Sequence, residues 1–525
     1  MTFDKPHLEY DQLWPLLVIF AVACIGLLVE AFAPRAARYL TQVVLTFVGL
    51  GSALVGTIVV GLDLTELDGA RGGLVGEGAI ALDGPAVVIW ALILVSALGG
   101  VCLFAERRLE GGVSGFAGQA AALPGTAAER DTQSLDHTEV YPLMLFSVGG
   151  MMLFASANDL LISFVALEVL SLPLYLLSGL ARRRRLISQE AALKYFLLGA
   201  FSSGFFLYGL SLVYGYAGSF DFSAIDAAVR SGVDNRELLL IGMGLISVGL
   251  FFKVGAVPFQ SWIPDVYQGA PTAVTGFMAA ATKIAAFGAL TRMFYVAFGS
   301  ARWDWEPLFW VIAIATMLVG SLLAIVQSDV KRMLAYSSVA HTGFILTGVI
   351  GVQAVSDLGA DEITSTQAVL FYLSTYVFAM IGGFGLVSLV RDATGEATSF
   401  RAWTGLGRTS PWVAGCFAVL LLSMAGIPLT AGFVGKWAVF AVAASSGAWL
   451  VVGVAIASSV LAIYFYVRFI WMTFFTEPTE HTAAVVRPSA FSLIAIGASV
   501  AGVLVLGIWP GPLLDLLGSI GGFVI

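Results

Sequence analysis

Long apolar runs alternate along this chain with short polar segments. The runs cover residues 13–33, 40–61, 84–104, 141–156, 158–180, 193–218, 238–258, 271–297, 308–327, 333–351, 366–390, 412–445, 448–475 and 489–509. One helix needs about 20 apolar residues to cross hydrocarbon, so the pattern predicts an all-α polytopic membrane protein of about fourteen transmembrane helices. The fourth run is short and nearly touches the fifth. The twelfth is long and holds Gly426, Pro428, Gly432 and Gly435, which reads as one broken helix.

Composition agrees with the pattern. Of 525 residues, 59% are hydrophobic and 11% charged, against roughly 25% charged in soluble domains. A net charge of −8 argues against a nucleic-acid binder, which would carry a basic stripe. Cys24, Cys102 and Cys416 lie far apart inside apolar runs, so no disulfide framework, zinc site or cluster site is expected. With four histidines and no GxGxxG after a strand, the chain offers no seat for a nicotinamide, flavin or haem. The N-terminus MTFDKPHLEYDQ lacks the basic flank and cleavage site of a signal peptide, so the first run is expected to remain as a helix.

Lysine and arginine positions set the orientation. With the N-terminus outside, fifteen loop cations fall on the inner side, among them Arg182–Arg185, Lys331 and Arg391, against five outside, Lys5 included. Both termini are therefore expected on the outer side. The Arg182–Arg185 run is accounted for by the same bias, a lipid or partner site being the other reading. The polar loop at 106–140 reads as an inner-face insertion without evident chemistry.

Six more cations, Lys194, Lys253, Lys283, Arg292, Lys436 and Arg468, fall inside the runs or at their ends, with Glu30 and Glu168. An ionisable group at mid-membrane costs at least ~2.5–3.5 kcal/mol. Lys194, Arg292, Arg468 and Glu30 are near enough to run ends to snorkel to an interface. Glu168, Lys283 and Lys436 sit near the middle of their runs and Lys253 in the inner half of its own, so these four are the functional candidates.

Prolines sharpen this. Pro173 follows Glu168 by five residues and Pro258 follows Lys253 by five. A helical proline removes the hydrogen bond to the carbonyl four residues earlier, which would free Val169 and Val254 to hold water or a lysine. Lys253 lies beside GAVP in the seventh span and Lys436 follows AGIP in the twelfth. An offset of five spans inverts topology. The reading is therefore two inverted five-helix repeats, helices 4–8 and 9–13, with helices 7 and 12 broken and sites near the midplane. In residues the segments are 1–140, 141–300, 301–480 and 481–525. Ser202, Ser203, Tyr208, Thr275, Thr282, Ser337, Ser338, Tyr372, Ser374, Thr375 and Tyr376 are polar residues that would extend a hydrated line. His341 joins the candidates because an imidazole in a helix bundle accepts and passes protons near neutral pH.

These residues stand in recognisable motifs. FKVGAVPF at 252–259 followed by WIPDVYQGAPT at 262–272 resembles the signature of the antiporter-like membrane subunits of respiratory complex I, the proton-translocating NADH:quinone oxidoreductase. LEVLSLPLYLL around Glu168, ATKIAAFG around Lys283, DVKRMLAYSSVAHTGF from Asp329 and AGIPLTAGFVGKW ending at Trp437 match the same family. The PDVYQGAP form and the lysine at 436 are most similar to its N-type members. Many relatives have histidine where this chain has Gln260, which takes up no proton at physiological pH.

The resemblance implies a proton pathway through Glu168, Lys253, Lys283, His341 and Lys436. It implies FMN, iron–sulfur clusters, NADH and quinone on partner subunits and none in this chain. The implied partners are antiporter-like subunit M, small subunits such as K and J, the lateral helix of subunit L, and the bilayer of a bacterial cell membrane. Moving one charge against ~150–200 mV costs about 3.5–4.6 kcal/mol. A thousandfold swing in the proton affinity of a Glu168–Lys253 pair, at ~1.36 kcal/mol per factor of ten, is of that size. Two other readings remain: the large subunit of a multi-subunit cation/proton antiporter, and a passive scaffold.

Overall fold

The computed structural model describes residues 8–67, 70–119, 122, 125–132, 135–351, 363–393 and 395–524. Lys5, and residues 120–121, 123–124 and 133–134 of the predicted 106–140 loop, lie outside the described residues.

The chain is mostly helical. The first part holds α1 (Tyr10–Phe32), α2 (Arg35–Asp63), α3 (Gly84–Phe104) and the single turn α4 (Ala127–Asp131). Then come α5 (Val140–Ser156), α6 (Leu160–Ser178), α7 (Arg185–Ala217), α8 (Phe222–Ser231), α9 (Arg236–Val254), α10 (Trp262–Gly269) and α11 (Thr272–Arg292), which runs on as a π turn over Met293–Ala297. The second half has α12 (Arg302–Ile325), α13 (Val330–Val349), α14 (Ser365–Leu389), α15 (Phe400–Trp403), α16 (Leu406–Thr409), α17 (Pro411–Ala425) and α18 (Ala431–Ser445). It ends with α19 (Trp449–Phe475), α20 (Ala490–Ile508) and α21 (Gly511–Ser519). Among the described residues, eleven helices are long and apolar enough to cross a membrane, twelve if the bent segment 400–425 counts as one. Apolar helices α5 and α18 are shorter.

Local chemistry sets where helices begin. Asp83, Asp159, Asp221 and Asp329 each accept backbone N–H groups of the first turn of α3, α6, α8 and α13. Thr364 and Gln367 close a capping box on α14. Helices α11 and α14 are apolar all round and almost wholly buried, so they form the centre. Helices α1, α2, α7 and α20 keep one apolar face exposed, as at Leu40, Val48, Phe201 and Ile494, which suits contact with hydrocarbon or another membrane chain.

Two ends close the bundle. One carries both the first and the last described residues: β1 (Glu66–Leu67), β2 (Ala70–Val75) and β3 (Ile80–Asp83) form an antiparallel sheet, Gly76 N–H donates to Glu9, and Gly522 bridges to Ala70. The other carries the arginine run, where β4 (Val390–Asp392) pairs antiparallel with β5 (Gly395–Glu396) and β6 (Ala484–Val485). The run has a fastening role there. Arg182 donates to Ser114 O at 2.6 Å and Leu135 O at 2.7 Å, and Arg183 pairs with Glu110 at 2.9 Å. Arg184 donates to Glu396 O at 3.0 Å, and Arg185 faces Glu129 at 3.5 Å.

The helix breaks differ from the proline expectation. Helix α9 stops at Val254, short of Pro258, because Gly255 takes a left-handed conformation (φ 79°). The N–H of Gly255 and that of Ala256 then turn back on Phe251 O at 2.9 and 2.8 Å. Pro258 lies in the following turn, and α10, which no apolar run announced, carries the chain on. The twelfth run is two helices, α17 and α18. Gly426 (φ 84°) ends the first in the same way, with Gly426 and Ile427 N–H both 3.1 Å from Leu422 O. Pro173 stays inside a continuous α6.

Candidate functional site

The two breaks leave backbone carbonyls without helical partners, and polar side chains meet them in different ways. Val254 O accepts the Thr342 hydroxyl of α13 at 2.7 Å. Ala425 O accepts the Lys436 ammonium of α18 at 2.9 Å. A lysine on a freed carbonyl is therefore found at the second break, and at the first the acceptor is taken by a threonine.

Thr342 links the first break to the middle of the bundle. Its hydroxyl oxygen accepts from Lys283 Nζ at 2.8 Å, and the same ammonium donates to Ser338 O at 2.6 Å and Ser338 Oγ at 2.7 Å. Lys283 thus has three acceptors, all on α13, and sits over the Tyr376 ring at 4.8 Å. The Tyr376 hydroxyl donates to Ser338 Oγ at 2.7 Å. One turn further along α13, His341 Nδ1 is 2.6 Å from the Tyr372 hydroxyl and Nε2 is 3.4 Å from that of Tyr466. Tyr466 also hydrogen-bonds Ser337. Lys436 completes its set on Ser459 Oγ at 2.9 Å, with the Phe344 ring 4.7 Å away.

Lys253, next to last in α9, donates to Ser171 Oγ at 2.7 Å and Tyr195 OH at 3.4 Å. Trp262 stacks on Tyr195 at 4.6 Å and ties α10 to the break through Phe252 O at 2.9 Å. Glu168 is on α6 one turn from Ser171. It forms no ion pair with Lys253, and its Oε1 is a buried atom with no hydrogen-bond partner. The pair thus consists of a carboxylate and an ammonium that do not touch, with the Ser171 hydroxyl beside the lysine. Lys253, Lys283, His341 and Lys436 are all buried at 3–4% exposure, which an unmatched charge in hydrocarbon could not sustain.

Other expectations need correction. Arg292 does not snorkel: it is 0% exposed and holds Asp83 with both nitrogens, at 2.8 and 2.7 Å, while Nε donates to Ala155 O. Lys331, expected in a loop, is buried at the start of α13. Tyr208 is 61% exposed on the outside of α7, away from the lysines. Thr282 and Ser374 bond back to Met278 O and Leu370 O of their own helices. Ser171, Tyr195, Thr342, Ser459 and Tyr466 escaped notice because in sequence a hydroxyl on an apolar helix looks the same whether it bonds its own backbone or a lysine.

A bundle of long apolar helices, with a buried lysine beside each of two helix breaks and a third lysine held on α13, is the fold of an antiporter-like membrane protein. The chain matches the family described as NADH:quinone oxidoreductase/Mrp antiporter, TM, over residues 157–462, more than half its length, and belongs to that family. It is 66% identical to the NADH-quinone oxidoreductase subunit N of Nocardioides sp., over 100% of both chains. Against the subunit N of Rhodococcus opacus it is 52% identical, over 98% of this chain and 96% of that one. A chain of respiratory complex I from Thermus thermophilus, solved with bound aureothin, superposes with a TM-score of 0.74 at 32% identity, over 97% of this chain and 100% of that one. A chain of the Mrp complex from Dietzia sp. has a TM-score of 0.77 at 22% identity, over 97% of each, a likeness of fold alone.

Proposed function

We propose that this chain is the N-type membrane subunit of an NADH:quinone oxidoreductase, and that it moves protons through Glu168, Lys253, Lys283, His341 and Lys436 while quinone is reduced elsewhere in the assembly. The observation that carries the reading is Thr342, which touches both Lys283 and the carbonyl freed at the first helix break. A change in the α9–α10 break would shift Thr342 and with it one of the three acceptors that hold the Lys283 charge. Losing an acceptor favours the neutral amine, and regaining it favours the ammonium. From Lys283 the proton passes towards His341 and then to Lys436, one of whose acceptors, Ala425 O, belongs to the second break.

The finer architecture belongs to the same proposal. The runs give fourteen spans, with α17 and α18 as two halves of one, arranged as two five-helix units of opposite orientation, each with a broken helix carrying a lysine. Both termini lie on the outer side of a bacterial cell membrane, and the arginine-rich end faces inward. FMN, the iron–sulfur clusters, NADH and quinone sit on partner chains. Subunits M, K and J and the lateral helix of subunit L are the membrane-arm neighbours.

Purification of the intact assembly tests the assignment: partners carrying flavin and iron–sulfur clusters support it, whereas sodium-dependent proton exchange without redox partners would replace it with the cation/proton antiporter. Within the assembly, normal proton-to-electron stoichiometry with Lys253→Ala would remove that residue from the path.

A further inference from the structure

At the arginine-rich end a cavity of about 100 Å³ opens between α7, α11, α14 and β5, with room for several waters. Three carboxylates line it, and two are already occupied. Glu106 accepts the Ser489 N–H and the Ser492 hydroxyl, each at 2.7 Å, at the start of α20. Glu110 is held by Arg183 and Arg391. The third, Glu396, keeps 27% of its side chain exposed, and the nearby arginine, Arg184, donates to its backbone carbonyl. Its carboxylate instead accepts the Thr272 hydroxyl and faces Lys331 Nζ at 3.7 Å. Lys331 is 2% exposed and donates to Ala270 O at 2.9 Å and Thr272 Oγ1 at 3.0 Å. A carboxylate that cavity water can reach is thus joined to a lysine of the cavity wall that is itself almost closed to outside solvent.

From this wall α13 leads to Lys283. Lys331 and Ser338 are seven residues apart on α13 and so lie on one face, about 10 Å apart along the axis. Ser338 holds the Lys283 ammonium. Helix α10 spans the same interval, with Ala270 just past its end on Lys331 and Tyr267 beside Ser338. Thr272 and Lys283 begin and centre α11. Three elements therefore connect the Glu396 cluster to Lys283.

We infer that Glu396 is the proton-collecting group at the mouth of the route to Lys283, with Lys331 and Thr272 positioning it. This rests on the proposed translocation role. A proton from the inner aqueous phase is relayed by cavity water to the Glu396 carboxylate, each water regaining the proton it passes on. The carboxylic acid then passes it through water to the neutral Lys283 amine, which becomes the ammonium seen on Ser338 and Thr342. Lys331 and Thr272 hold the Glu396 side chain in place at the cavity wall.

The test uses the assembled complex in membrane vesicles, with pumping and quinone reduction normalised to assembled enzyme. Glu396→Gln is expected to lower pumping about tenfold or more, the scale of a lost acid–base group, and Glu396→Asp to recover much of it. A group that only packs would show no such recovery of proton flux by a shorter acid. Normal pumping in Glu396→Gln, with Lys283→Met inactive, overturns this inference and leaves the translocation role intact. Normal pumping in both variants overturns the translocation role. If Glu396→Gln fails to assemble, Thr272→Val is read in its place: a severalfold loss of pumping supports the inference, and an unchanged rate overturns it.

Discussion

Ser171 stands beside the Lys253 ammonium, 2.7 Å from it, on the same helix as Glu168 and one turn away. Its hydroxyl proton goes to Leu167 O at 2.5 Å, so its lone pairs are left for the lysine. The lysine is held off the carboxylate, whose buried Oε1 has no donor. Such an arrangement has a second state close by, with the ammonium on Glu168. Ser171→Ala removes an acceptor worth about 1–3 kcal/mol to a charged donor and biases Lys253 toward Glu168. Pumping per assembled complex is expected to fall severalfold, and Glu168→Gln in the same background should not lower it much further. Full additivity of the two losses would show that serine and carboxylate act on Lys253 independently.

Thr342 offers a sharper separation of coupling from packing. Thr342→Val keeps the shape and deletes both the bond to Val254 O and the acceptor for Lys283. Pumping and quinone reduction should both drop by roughly an order of magnitude, because an interaction linking the break to the lysine is gone. Thr342→Ser retains the hydroxyl and is expected to stay near normal. Equal rates for the valine and serine variants, measured as proton uptake per NADH oxidised, would remove Thr342 from the route.

His341 is tied to two neighbouring helices of the second half through tyrosines, Tyr372 on α14 and Tyr466 on α19. His341→Gln can still hydrogen-bond both phenols but cannot carry a proton near neutral pH. A drop in pumping with the assembled amount unchanged is therefore expected, and Tyr372→Phe should produce a smaller drop by freeing the ring from its 2.6 Å partner. If His341→Gln pumps normally, protons pass from Lys283 to Lys436 without the imidazole.

Much of this was written in the sequence, for physical reasons that also mark its limit. A run of about 20 apolar residues has few soluble uses, and each apolar run listed above is occupied by helix. A lysine inside such a run is conspicuous because it is costly, so Lys253, Lys283 and Lys436 stood out and are indeed buried. The acceptors that make those lysines tolerable were not legible. Thr282 and Thr342 look alike in sequence, yet one bonds its own helix and the other carries Lys283. The cap turns at Gly255 and Gly426, rather than the prolines after them, end the broken helices. Lys331 sat at the edge of a run, where the reading assigned it to solvent, and only tertiary packing buries it.

Arg292 and Asp83 are 209 residues apart, which is why an arginine near a run end read as snorkelling. Both are fully buried, and Asp83 does three tasks at once: it caps α3 through Ala86 N–H, holds the guanidinium, and accepts Val524 N–H at 3.0 Å. Phe523 covers the guanidinium at 4.9 Å. Removing one partner strands a buried charge, which typically costs 3–5 kcal/mol. Asp83→Ala should therefore cut the amount of assembled subunit and lower its melting temperature. Replacing both residues together, Asp83→Asn with Arg292→Met, should restore much of the loss, because no ion is left unpaired and the asparagine can still cap α3. If the double variant is as unstable as the sum of Asp83→Asn and Arg292→Met measured singly, the two residues act independently and no orphaned charge lies behind the loss.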